Sequence, residues 1–194
     1  MKNIAVEITG EQVAVITIDC RDSKVNKVSS GLLDEIAAMI DKINPAEVRG
    51  MVIVSGKEDN FVVGADIDEV IAMKSEGETR RYISRANDIL NRIDALPIPV
   101  VSCIHGNCLG GGLEVALASD YRIAADSPKT VMGLPEVMLG LLPAGGGTQR
   151  LPRLIGLRES LPLMLAGKNV RVRKARRLGL IDEVVVPYGL KEIG

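Results

Sequence analysis

An apolar strand that breaks at glycine and gives way to a helix recurs along this chain, and the recurrence limits it to an α/β architecture with helices laid over sheets. The run VRGMVIVS, residues 48–55, has from Gly50 onward the uncharged, β-branched character of a strand buried on both faces. Gly56 to Asn60 breaks it before FVVGADIDEV. Val100 to Ile104 repeats the pattern, followed by a glycine-bearing turn and a helix from about Gly112 to Ala118. Tyr121 to Ala125 and Thr130 to Met132 read as further strands. Upstream, Ala5 to Thr9 and Gln12 to Asp19 flank Gly10 and Glu11 as an opening β-hairpin. Ser29 to Ile43 carries Leu32, Leu33, Ile36, Ala37, Met39 and Ile40 at helical spacing behind a capping Ser29 or Ser30. A second helix is expected over Glu78 to Leu96, stopped by Pro97 and Pro99. From Gly145 onward the pattern is helical and basic, and RVRKARRLGLIDEVVVP predicts a short helix ending at Gly179, then a strand. Its arginines read as a solvated face. No sharp repeat or linker divides the chain, so residues 1–194 are expected to form one domain.

The formal charge is −1, from 24 basic and 25 acidic residues, which provides no net field for nucleic acid or an anionic membrane. Phe61, Tyr82, Tyr121 and Tyr188 are the only aromatic residues, too few for stacking along a single strand. Cys20, Cys103 and Cys108 lie in apolar or strand-like runs without CxxC spacing and read as reduced core thiols of a cytoplasmic protein. His105 is the only histidine, which leaves a His-based triad or zinc site without material; it reads as a packed turn residue. No signal-peptide core or long apolar span appears.

Chemistry is concentrated at glycine turns. Gly64-Ala65-Asp66 precedes a helix and could aim a backbone N–H into a cleft, although glycine and aspartate before a helix are usually just a turn and an N-cap. Gly110-Gly111-Gly112 either lets the backbone approach a ligand or packs a helix tightly on a sheet. The triplet fails the dinucleotide fingerprint, since Val115 stands three residues after Gly112. Gly145-Gly146-Gly147-Thr148 could begin a helix and attract phosphate, but it lacks the lysine of a phosphate loop. Glu114 follows the first triplet in a helix apolar nearly all round, and Glu136 sits in the uncharged stretch GLPEVMLGLL behind Pro135. Two carboxylates withdrawn from water near bare backbone amides suit proton transfer to a substrate whose developing oxyanion is held by N–H groups.

FVVGADIDEV, HGNCLGGGLEVALASDYRIAA and MGLPEVMLGLLPAGGGTQRLPRLIG together resemble the crotonase, or enoyl-CoA hydratase, superfamily over nearly the whole chain. More narrowly, SKVNKVSSGLLDEI and the GLPE form of the third motif are similar to the hydratase domain of the multifunctional α-subunit of a bacterial fatty acid oxidation complex. The resemblance implies a spiral of ββα turns. It implies further that the Ala65 and Gly111 amides form an oxyanion hole for an acyl thioester, that Glu114 and Glu136 are the catalytic pair, and that Lys24, Val63, Ala65, Asp66 and Ile67 border the coenzyme A site. Glu114 would activate water for attack at C3 and Glu136 deliver a proton to C2, with no metal or redox cofactor. Coenzyme A enters only as part of the substrate. Relatives assemble as trimers, and the complex α-subunit associates with a thiolase subunit. The chain stops before the C-terminal helices that in relatives close the acyl pocket or mediate assembly. It is therefore expected to be a fragment of a longer chain whose NAD-dependent 3-hydroxyacyl-CoA dehydrogenase part is absent here. The implied reaction is hydration of trans-2-enoyl-CoA in fatty acid β-oxidation, with Δ3-Δ2 isomerisation at the same site as the nearest rival. The alternatives are a non-catalytic acyl-CoA-binding or assembly module and, more distantly, a nucleotide-phosphate-binding module.

Overall fold

A computed structural model describes residues 2–187. Tyr188 and the stretch Lys191 to Gly194 lie outside them. The chain opens with the expected antiparallel hairpin of β1 (Ile4–Ile8) and β2 (Val13–Ile18). Helix α1 (Ser30–Lys42) follows, its first turn capped by Ser29 Oγ, which accepts the Leu32 N–H. Leu32, Leu33, Ile36, Met39 and Ile40 are its buried face, the i, i+3, i+4 stripe visible in the sequence.

From here a unit of two strands and a helical segment repeats. Strand β3 (Gly50–Ser55) is followed by β4 (Asn60–Val62) and helices α2 (Ile67–Ala72) and α3 (Glu76–Asp94). Strand β5 (Val100–Ile104) is followed by β6 (Asn107–Leu109) and α4 (Gly111–Leu117). Strand β7 (Tyr121–Ala125) is followed by β8 (Val131–Gly133) and a 3-10 turn, Pro135–Leu139. In each unit the first strand joins one sheet and the second strand another. Helices α5 (Gly147–Ile155) and α6 (Leu157–Leu165), strand β9 (Val170–Arg171), helix α7 (Val172–Leu178) and strand β10 (Glu183–Val185) complete the described chain. The six-stranded sheet has the order β1-β2-β3-β5-β7-β10 and the four-stranded sheet β4-β6-β8-β9. Apart from the outer pairs β1/β2 and β8/β9, neighbouring strands are parallel, which requires crossover connections between them. This is the ββα spiral that the sequence motifs imply.

Two details depart from the sequence reading. Residues 107–109, read as part of a glycine turn, form β6; a three-residue strand has no periodicity of its own and exists because β4 and β8 pair with it on either side. Helix α3 begins at Glu76 rather than Glu78, because Ser75 Oγ accepts the Glu78 N–H and caps the helix two residues earlier. The cysteines are free and buried, and the arginines of α7 are exposed, as read. His105 packs at the end of β5, with Nε2 2.6 Å from the Lys57 carbonyl. No helix among the described residues is long and apolar enough to cross a membrane.

Candidate active site

The parallel strands β4, β6 and β8 stand side by side, and each is followed directly by one component of a single site. After β4 comes Gly64-Ala65-Asp66, after β6 the triplet Gly110-Gly111-Gly112 leading into Glu114, and after β8 the turn that carries Glu136. Gly110 and Glu136, 46 and 72 residues beyond Gly64, thus converge with it because three repeats present the same end of the same sheet. The C-terminal edge of parallel strands is where α/β proteins place ligands. A cleft of about 550 Å³ opens there, lined by Ala65, Gly111, Glu114 and Glu136 and walled by apolar side chains, among them Ile67, Leu90, Leu139 and Leu142.

Local geometry leaves two amides unused. Val28 forms a parallel bridge with the loop after β4: its N–H donates to the Gly64 carbonyl and its carbonyl accepts the Asp66 N–H, each at 2.8 Å. Ala65, lying between, is skipped. Across from it, the Gly110 N–H donates to the Gly133 carbonyl at 2.9 Å, and the next amide, that of Gly111, opens helix α4. Among the described residues neither the Ala65 nor the Gly111 N–H donates to a protein acceptor. The two backbones are in contact, since a Cβ built on Gly111 would lie 3.6 Å from the Ala65 nitrogen. A pair of neighbouring free donors at a cleft can hold an oxyanion.

The glycine triplet serves both purposes left open by the sequence. A side chain at Gly112 would run into the Val62 carbonyl, so this glycine packs α4 on β4. Gly110 has φ +52° and ψ −128°, a conformation closed to residues with a Cβ, and a Cβ there would come within 3.0 Å of Glu136 Oε1. Close helix packing and close approach to the site are therefore divided between neighbouring residues.

Glu114 is 4 % exposed. Burial pushes its carboxyl above the usual range, while hydrogen bonding from the Gly147 and Gly145 backbone and the positive charge of Arg150 oppose that rise. The Gly147 N–H donates to Glu114 Oε1 at 2.8 Å. The run at 145–148, read as a possible phosphate cradle, thus begins a helix as expected, but the anion it receives is a carboxylate of this chain. Its glycines are needed for that contact: a Cβ on Gly145 would lie 2.5 Å from Glu114 Oε2, and one on Gly147 2.9 Å from Oε1. Glu136 stands otherwise. It is half-buried on the 3-10 turn, with Pro135 at the first position and Gly140 in the left-handed conformation closing it. Burial first, and then the charge of Glu114, push it up to about 7, and its Oε2 is buried without a partner.

The residues that the family resemblance places at a coenzyme A site divide. Val63 and Ile67 line the cleft with Ala65. Asp66 is turned to Lys27, with Nζ to Oδ2 at 2.8 Å, and its Oδ1 is buried and unpartnered. Lys24 is exposed and does not line the cleft. Sequence reasoning passed over Tyr82, whose hydroxyl donates to the Val28 carbonyl at 2.9 Å and so pins the loop that frees the Ala65 amide. It also passed over Lys27, and Arg150 beside the Glu114 cradle. Only pairing across the fold distinguishes these from ordinary surface residues.

A family model described as Enoyl-CoA hydratase/isomerase matches residues 9–192. Among solved structures, an enoyl-CoA hydratase from Bacillus anthracis superposes with a TM-score of 0.91 at 36 % identity, covering 98 % of this chain and 73 % of that one. An enoyl-CoA hydratase from Geobacillus kaustophilus gives 0.93 at 30 % identity, over 100 % of this chain and 72 % of that one. One from Thermoplasma volcanium gives 0.91 at 30 % identity, over 100 % and 75 %.

Proposed function

The chain belongs to the enoyl-CoA hydratase/isomerase family, and on that premise we propose that it adds water reversibly across the double bond of trans-2-enoyl-CoA thioesters. The observation that carries this reading is the convergence of two carboxylates and two unpaired amides on one largely apolar cleft. The thioester oxygen would accept hydrogen bonds from the Ala65 and Gly111 N–H groups. As water attacks C3, charge moves onto that oxygen, and each preorganised donor stabilises the resulting enolate by about 3 kcal/mol.

The environments of the glutamates support a division of labour. Burial raises the Glu114 carboxyl, and the backbone amides and Arg150 that oppose the rise stabilise the ionised form that would take a proton from water. Glu136, pushed up to about 7, is partly protonated at neutral pH and would deliver that proton to C2. In the reverse direction Glu136 removes the C2 proton and Glu114 returns one to the departing hydroxyl. No step draws on a metal or redox cofactor. Because Glu136 alone could carry a proton between C2 and C4, Δ3-Δ2 isomerisation at the same site is a second reading.

The same proposal extends to the setting of the reaction: fatty acid β-oxidation, kinship with the hydratase domain of a multifunctional α-subunit, and acyl-CoA as the ligand. Under it, a longer chain would add NAD-dependent dehydrogenation, and association would be with copies of itself as a trimer or with a thiolase subunit. Val63 and Ile67 would meet coenzyme A beside Asp66, and Lys24, exposed outside the cleft walls, would border the part of the ligand that leaves the cleft.

The test follows the ultraviolet absorbance of crotonyl-CoA, and of a longer 2-enoyl-CoA, mixed with the parent chain and with Glu114→Gln and Glu136→Gln. Hydration is expected in the parent and to fall by roughly 10²–10⁴-fold in each variant. Isomerisation of a 3-enoyl-CoA is expected to survive in Glu114→Gln. Acyl-CoA binding with no turnover by the folded parent would replace the hydratase reading with that of a binding module.

A further inference from the structure

Helix α5 begins at the Glu114 cradle, and one side chain of its first turns is directed back toward it. Arg150 Nη1 donates to the Gly145 carbonyl at 3.3 Å. Its Nη2 donates to Asn91 Oδ1 at 2.7 Å and pairs with Asp94 Oδ2 at 3.3 Å, both on α3. The side chain is 13 % exposed, and its Nε is buried without a partner. Gly146, at φ +95°, makes room for the fork, because a Cβ there would strike Nη1. A second link runs in parallel: Asn87 Nδ2 on α3 donates to the Ala144 carbonyl at 2.5 Å. The carbonyl side of the 144–147 loop is thus fastened to α3, while its amide side faces Glu114.

We propose that Arg150 is a positioning residue for the hydration chemistry: its guanidinium clamps the 144–147 loop to α3, holds the loop amides on Glu114, and provides the positive charge nearest that carboxylate. The inference rests on the reading of Glu114 as the group that activates water. A glycine loop without side chains has little rigidity of its own, so the geometry of its amides must be imposed from outside. A planar fork suits this task better than an ammonium, because it can reach the loop and the helix at once in fixed directions.

The charges around Glu114 come from few elements. Arg150 faces it from α5, Glu136 from the 3-10 turn and Tyr82 from α3, while Asp94 stands on the far side of Arg150. Arg150 alone among these is positive and favours the carboxylate. Removing it therefore raises the pH at which Glu114 ionises, and moves the acid limb of a reaction needing that base in the same direction.

The test is a 13C NMR titration of protein labelled at glutamate Cδ, with Glu114→Gln identifying the resonance. Arg150→Gln is expected to raise the Glu114 midpoint by about one pH unit. Arg150→Lys, which retains the charge and loses the fork, should stay with the parent. With crotonyl-CoA, Arg150→Gln should shift the acid limb of kcat/KM by the same amount and lower kcat about tenfold to a hundredfold at nearly unchanged KM. An unchanged midpoint in folded Arg150→Gln would overturn the proposal. Should that variant not fold, Arg150→Lys decides: a parent-like midpoint with lowered kcat supports the clamp, and a raised midpoint or full kcat overturns it. The titration needs no substrate, so an inactive parent would count against hydration while leaving the positioning of Glu114 to be read directly.

Discussion

Glu114 and Glu136 line one cleft, yet the regions that hold them are built on opposite principles. Around Glu114 the fold withdraws water and supplies substitutes: a Gly147 amide at 2.8 Å, further backbone from Gly145, and the charge of Arg150. Around Glu136 it withdraws water and supplies little, leaving Oε2 without a partner on a short turn between Pro135 and Gly140. Burial raises both carboxyls; the first arrangement offsets part of that cost for an ionised carboxylate, and the second offsets little of it. Under the proposed hydration, two identical side chains would thereby acquire different tasks from backbone placement, which is why a pair of glutamates in a sequence identifies a site before it identifies roles.

The largest effect that should break this contrast is Gly145→Ala. A Cβ there would lie 2.5 Å from Glu114 Oε2 and 3.2 Å from Leu90 Cδ1, so the carboxylate must move. Hydration is expected to fall about a hundredfold with the chain still folded, read by the absorbance assay beside a circular dichroism spectrum. Parent-like turnover would mean that the cradle does not set the position of Glu114.

A smaller effect sharpens the Glu136 side. Its folded-state value is raised, so the folded protein binds more protons than the unfolded chain between the usual carboxyl range and about 7. Stability contributed by the neutral acid is present at low pH and lost as pH rises through that window. Glu136→Gln should therefore gain in Tm relative to the parent between pH 5 and pH 8, at the expense of activity. In the parent, kcat/KM for hydration should decline above about pH 7. A Tm difference that is flat with pH would remove the raised acid from the account.

The smallest effect is a control. Arg177 is exposed on α7, away from the cleft walls, and Arg177→Ala should alter stability by less than about 0.5 kcal/mol and leave turnover unchanged. A marked loss of activity would extend the functional surface beyond the cleft.

The sequence made much of this legible, and unevenly. Helix α1 could be read from its apolar stripe and capping serine, and β3, β5 and β7 from their β-branched runs, because these signals are local. The burial of Glu114 was legible from its apolar neighbours. What stayed hidden was long-range. Strand β6 exists only through its partners, and the structural repeat that aligns Ala65, Gly111 and Glu136 leaves an irregular pattern in the residues but no sharp repeat. A glycine run cannot announce which anion it will meet, so the 145–148 segment resembled a phosphate cradle until Glu114 was found against it. Arg150 and Tyr82 gave no signal, since their partners lie 59 and 54 residues away.

The most direct test of the contrast between the two carboxylates is proton exchange at C2. Butyryl-CoA, which has no double bond to hydrate, is incubated in D2O with the parent, Glu114→Gln and Glu136→Gln, and deuterium at C2 is followed by mass spectrometry. Removal of a C2 proton places charge on the thioester oxygen at the Ala65 and Gly111 amides and requires only the glutamate that faces C2. Exchange is predicted in the parent and in Glu114→Gln, and its loss in Glu136→Gln. Exchange that persists in Glu136→Gln and disappears in Glu114→Gln would reverse the roles and contradict the account.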